Sequence, residues 1–128
     1  MPNMMELLDI RNTHLTDDNK GLYSEMHVKD FHKQPLGWLH GGATLAFAET
    51  IGSHMSWLLV KDEGLFAAGQ SMSCQHLRPF KGDGILRAKG TLLHKGRKTH
   101  VWDLLFYDEE DRLISHINFT VAIIKPKQ

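Results

Sequence analysis

A single cysteine, Cys74, occurs in the 128 residues, so no internal disulfide can form and the chain is expected in a reducing compartment, the cytoplasm. Long apolar runs are also missing. The longest candidate, from Gly42 to Val60, is interrupted by Glu49, Thr50, Ser53 and His54, short of the roughly 20 residues a membrane span requires. Neither sign of charge is in excess: 15 basic residues balance 15 acidic ones, which argues against nucleic-acid or anionic-membrane partners. The nine histidines include no HxH or HExxH spacing and no Cys/His cluster, so neither a metal nor another cofactor is expected. The start, MPNMMELLDIRN, has no basic segment followed by a signal-length apolar core, which predicts no secretion. Without repeats, linkers or low-complexity tracts, residues 1–128 read as a single domain.

Periodicity supplies the elements. Residues 4–9 suit a short helical turn that packs Met5 and Leu8 onto the body. From Leu22 to Val28, Leu22, Ser24, Met26 and Val28 alternate with Tyr23, Glu25 and His27, the pattern of a half-buried strand. Pro35 and Gly37 mark residues 31–40 as a loop. Gly42 to about Val60 is rich in helix formers, apolar around much of its circumference, and predicts a buried helix. Four strand-like segments follow at about 66–78, 85–94, 99–107 and 113–124. Turn compositions separate them, at Lys81-Gly82-Asp83-Gly84, at Lys95-Gly96-Arg97-Lys98 and from Asp108 to Arg112. Short turns favour antiparallel neighbours. The expected fold is therefore α+β, an antiparallel sheet of five strands curled around one long central helix.

The densest chemistry lies in Gln34-Pro-Leu-Gly-Trp-Leu-His40-Gly41-Gly42 and in the helix that follows it. Two glycines at a helix start expose backbone N–H groups where the helix dipole favours negative charge. His40 stands where it can cap the helix. About two turns on, Glu49 sits among Ala46, Phe47, Ala48 and Ile51 with no cation at i±3 or i±4. Such a carboxylate is expected to be desolvated, with a raised pKa suited to base or nucleophile work. Ser53, one turn further, can reach that carboxylate or a water. An anion-stabilising turn with a carboxylate nearby suits ester or thioester hydrolysis.

Cys74 and His76 share one face of a predicted strand, but no anion-stabilising turn adjoins them in sequence, and Cys74 reads as core packing. Gly96, Arg97 and Lys98, with His76, Arg78 and Lys81 on the preceding hairpin, could cradle phosphates, but on composition alone they read as an ordinary charged hairpin turn. Trp38, Trp57 and Trp102 read as core or interface aromatics.

The motif Gln34-x-x-Gly37-x-x-His40-Gly41-Gly42, followed by Ala48-Glu49-Thr50-Ile51-Gly52-Ser53, resembles the hotdog-fold acyl-CoA thioesterases. It is most similar to the PaaI-type branch that includes the 4-hydroxybenzoyl-CoA and 1,4-dihydroxy-2-naphthoyl-CoA enzymes. The likeness continues through His76-Leu-Arg78, the Gly82 turn, Leu93 to Gly96, Val101-Trp102 and Phe106 to Asp108. It implies that Glu49 attacks the thioester or activates water, while Gln34 and the Gly41 N–H polarise the carbonyl. His40 would orient the loop and thioester, and Ser53 would assist near the acyl group. His76, Arg78, Gly82, Gly96, Arg97 and Lys98 would face the CoA pantetheine and phosphates. The resemblance further implies a site shared within a homodimer, with dimers paired into a homotetramer. Glu49 with Gln34 follows the aroyl-CoA pattern, whereas His54 is unusually polar for a pocket wall. A non-catalytic acyl-CoA-binding module is the alternative, and Glu49 argues against it, since a binder gains nothing from an unpaired acid.

Overall fold

The computed structural model describes residues 2–127. After a short helix α1 (Met4–Leu7) come strands β1 (Ile10–Leu15) and β2 (Gly21–Val28), then helix α2 (Gly41–Val60) and strands β3 (Phe66–His76), β4 (Gly84–Lys95), β5 (Thr99–Tyr107) and β6 (Leu113–Ile124). All strand pairs are antiparallel, in the order β1-β2-β4-β5-β6-β3.

The sheet has six strands, one more than the sequence reading gave. β1 escaped notice because its residues, Ile-Arg-Asn-Thr-His-Leu, do not alternate cleanly, and its register with β2 shifts between Arg11 and His14, where Asn12 adopts φ +53°. A bulge of this kind breaks the period of two on which strand detection depends. A second correction concerns connectivity. β3 and β4 do not form a hairpin: β3 lies at the far edge beside β6, whereas β4 pairs with β2. Residues 77–83 therefore cross between separate parts of the sheet.

The sheet's inner face closes on α2. Phe47, Ile51 and Met55 of the helix are fully buried with Met26, Leu86, Trp102, Leu104, Phe106 and Ile117 of the strands. Each such side chain contributes about 1.5–3 kcal/mol through removal from water. The alternation read in β2 holds, with Leu22, Ser24, Met26 and Val28 buried and their neighbours half-buried. Met5 and Leu8 pack on the core as expected. Gly52 sets how closely α2 approaches the sheet, since a Cβ there would lie 2.5 Å from the Phe119 ring.

One set of polar groups inside this core is paired. Buried Ser56 of α2 accepts the Trp102 indole N–H at 2.8 Å and lies 2.8 Å from His100 Nδ1. Burial lowers the His100 pKa to about 4, with the charges of Lys95 and His94 acting in the same direction. Among the described residues, no helix is long and apolar enough to cross a membrane.

Candidate active site

α2 begins at the two glycines, and each has an imidazole where its side chain would be. A Cβ on Gly41 would lie 2.7 Å from His76 Nε2, and one on Gly42 would lie 2.9 Å from His40 Nδ1. His40 is the N-cap: its Nδ1 accepts the Gly42 N–H at 2.8 Å, and its carbonyl accepts the Ala43 N–H at 2.9 Å. Among the described residues this leaves the Gly41 N–H as the unpartnered donor of the turn, at the positive end of a 20-residue helix.

Gln34 stands across the cleft from this turn. Its backbone bonds to Trp38 and Gly37 close the loop, and its side-chain Oε1 accepts the Leu36 N–H. With the oxygen so engaged, the amide NH₂ is the end left to donate into the cleft. Gln34, Gly41, Thr44, His76, Arg78 and Ser115 all line this cavity of about 300 Å³. The loop itself is anchored by buried His32, which bonds the Leu8 carbonyl at 2.6 Å and accepts the Lys29 N–H.

Glu49 does not meet the burial expected of it. In a single chain it is exposed, because the stripe of α2 that bears it points past the sheet's open β3 edge. The desolvation expected of it is therefore absent from the isolated chain. The carboxylate nonetheless has a defined seat over β3: a Cβ on Gly69 would lie 2.8 Å from its Oε2. The β3 register shifts between Gly69 and Ser71, a bulge directly beside that seat. One helical turn on, the Ser53 hydroxyl is buried without a hydrogen-bond partner among the described residues. Thr50, Ser53, His54, Trp57, Met5 and Ala67 border a shallow cleft here, with the His54 ring 6.0 Å from that of Trp57.

The remaining residues separate into two groups. Arg78 lies with His76 at the α2 N-terminus, close to the Gly82 turn, where Gly82 adopts φ +73° and the Lys81 ammonium sits 5.6 Å from the Trp38 ring centre. Gly96, Arg97 and Lys98 form the β4–β5 turn, closed by a Gly96 N–H bond to the Thr99 carbonyl. The two groups stand at opposite ends of the 12-residue β4, roughly 36 Å apart along a strand. The single basic cluster read from the sequence therefore does not form within one chain, because β3–β4 is not the hairpin that would have created it.

Cys74 is partly buried against the core, and burial raises its thiol pKa, the opposite of an activated nucleophile. Trp102 is core, Trp57 half-buried and Trp38 exposed. Among the described residues no group of three or more His, Cys, Asp or Glu side chains could hold a metal ion.

Comparisons with known proteins bear on the family of the chain. Residues 36–115 match the profile of the thioesterase superfamily. The chain is 37% identical over 122 residues to a 1,4-dihydroxy-2-naphthoyl-CoA hydrolase of Escherichia coli, covering 95% of this chain and 87% of the relative. It is 41% identical over 103 residues to the proofreading thioesterase EntH of Klebsiella pneumoniae, covering 80% and 74%. Among solved structures, a Staphylococcus aureus thioesterase with a glutamine replaced by alanine superposes with TM-score 0.87 at 34% identity, covering 96% of this chain and 98% of that one. The same protein has also been solved with a glutamate replaced by alanine.

Proposed function

Because this chain belongs to the thioesterase superfamily and is a thioester hydrolase, we propose that it hydrolyses an aromatic or medium-chain acyl-CoA to the free acid and CoA, with Glu49 carrying the chemistry. The observation that carries this reading is the α2 N-terminus, where the Gly41 N–H has no partner among the described residues and the Gln34 side chain lines the same cleft. Those two donors polarise the thioester carbonyl and hold the oxyanion that forms on it. The Glu49 carboxylate either takes a proton from water as it adds to the carbonyl carbon or adds there itself. Collapse of the adduct breaks the C–S bond and releases CoA as the thiolate; where Glu49 itself has added, water then hydrolyses the acyl-Glu49 anhydride to release the acid. In the Staphylococcus aureus relative, the replaced glutamine and glutamate are as many positions apart as Gln34 and Glu49, which supports the pairing.

One chain cannot complete this site. Eight residues separate Gly41 from Glu49, about 12 Å along a helix, too far for both to touch one carbonyl group. The β3 edge supplies the remedy. It is 11 residues long and exposed over most of its length, and it carries no charged residue or proline to discourage pairing. A two-fold, antiparallel pairing of two such edges sets the start of one β3 beside the end of the other. Glu49 of the partner subunit then approaches Gly41 and His76 of this one. The same operation brings the partner's Arg97 and Lys98 towards Arg78, reuniting the two basic groups for the CoA phosphates. The cleft around Ser53 and Trp57 continues from Glu49 and takes the acyl group. The relative named as a dihydroxynaphthoyl-CoA hydrolase supports the aromatic option.

Glu49→Gln tests the assignment. The amide keeps the size and removes both basicity and nucleophilicity, so kcat falls on the order of 10²–10⁴-fold while the fold persists. Retention of more than about a tenth of wild-type kcat would refute the role.

A further inference from the structure

We propose that Ser115 is a positioning residue that fixes the His76 imidazole as a second hydrogen-bond donor beside the Gly41 N–H. The inference rests on the proposed hydrolytic site, and it gives His76 a place in the reaction that differs from CoA phosphate binding. Three observations carry it. Ser115 and His76 are register partners in the β6–β3 pair, so their side chains stand together on the inner face. The Ser115 side chain is fully buried, with its Oγ 2.8 Å from His76 Nδ1. The opposite ring nitrogen, Nε2, is the atom that fills the space of a Gly41 side chain.

The proton arrangement follows from the surroundings. The Ser115 hydroxyl donates to Nδ1 in this arrangement. A neutral ring that accepts the Ser115 hydroxyl proton at Nδ1 must carry its own proton on Nε2. That N–H then points into the cleft shared by Gly41 and Gln34, where it meets the developing oxyanion. Cys74 Sγ, 3.6–3.7 Å from both ring nitrogens, supports the ring from the side. The ring therefore has one fixed orientation. No proton is transferred in this role; the imidazole only donates a hydrogen bond as negative charge builds on oxygen.

The test is a double-mutant cycle in steady state, using a panel of acyl-CoA esters. Ser115→Ala lowers kcat by about 5- to 20-fold, the effect of losing one orienting hydrogen bond, and leaves KM for the CoA ester within about two-fold. His76→Ala lowers kcat on the order of 10²-fold, as for loss of an oxyanion donor. In the His76→Ala background, Ser115→Ala has no further effect, because its only route to the reaction is gone. Ser115→Thr, which retains the hydroxyl, restores kcat towards wild type. Thermal midpoints measured for every variant separate loss of fold from loss of orientation. Equal kcat losses from Ser115→Ala with and without His76, or a rise in KM with unchanged kcat, overturn the proposal. If Glu49→Gln is inactive while Ser115→Ala and His76→Ala are both fully active, this inference fails and the hydrolytic reading stands. If Glu49→Gln is active, the hydrolytic reading fails first.

Discussion

At the scale of single residues, the site depends on what is missing from its glycines. Gly41 and Gly42 yield space to His76 and His40, and Gly69 yields it to the Glu49 carboxylate. Gly69 tests the last of these without touching the acid. Its φ lies outside the left-handed range, so alanine adds no backbone strain, but the new methyl lies 2.8 Å from Glu49 Oε2 and 3.1 Å from the Phe119 ring. The carboxylate end swings away more easily than the ring moves. Gly69→Ala should therefore lower kcat by roughly ten-fold while destabilising the chain by no more than about 1 kcal/mol, measured by steady-state kinetics beside a urea melt. Gln34→Ala should give an intermediate loss of kcat, because one of the carbonyl's donors is removed and the Gly41 N–H remains. An unchanged kcat would place Gln34 in loop closure alone.

At the scale of elements, α2 is fixed to the sheet by a close approach and a buried polar contact. Gly52→Ala drives a methyl into the Phe119 ring and should cost about 1–3 kcal/mol, since a close-packed core accommodates an added carbon poorly. The polar contact gives a pH dependence. His100 folds with its pKa lowered to about 4, whereas in the unfolded chain it titrates near the ordinary 6.5. Between those values the unfolded state binds the proton and the native state does not, so each fall in pH through this window favours unfolding. The contribution of neutral His100 is thus complete above about pH 6.5, declines as pH falls towards 4, and changes no further below that. Urea midpoints from pH 4.5 to 7.5 should show this slope in the wild type and a shallower one in His100→Gln. Equal slopes in the two proteins would assign the dependence to other groups.

At the scale of the whole molecule, the open β3 edge and the split site lead to one expectation, a homodimer, with the tetramer that the family resemblance implies as a further pairing. Ala68→Lys places a charge on that edge and should shift the protein towards monomer in sedimentation velocity. Activity should fall with the dimer fraction, because Glu49 and Gly41 then lose each other. A fully active monomer would sink the shared site. Arg97 and Lys98 belong at this scale too, since within one chain they stand a strand's length from Arg78 and the proposed two-fold pairing would bring them together. Replacing both with alanine should raise KM for CoA esters with little change in kcat, and leave simple thioesters without the nucleotide unaffected. Equal losses for both substrate types would remove the turn from CoA binding.

Much of this protein is legible in its sequence because the signals are local. Alternation in β2, the small and apolar composition of α2, the glycine-rich turns and the Gln34-to-Ser53 motif each act within a few residues. They sufficed for the long buried helix, five of the strands and the helix start bearing Gly41. β1 escaped because a bulge at Asn12 erases its period, and the order of strands escaped because a turn's composition does not tell which edge a chain will cross to. Tertiary structure alone decided that Ser115 faces His76, that Gly69 lies under Glu49, and that Arg78 stands a strand's length from Arg97. It also decided that Glu49 is exposed in one chain. Burial of a helix face depends on what the sheet sets against it, and at the β3 edge the chain sets nothing there. The sequence by itself determined which groups are available for the chemistry; pairing registers across the sheet determined which of them can meet.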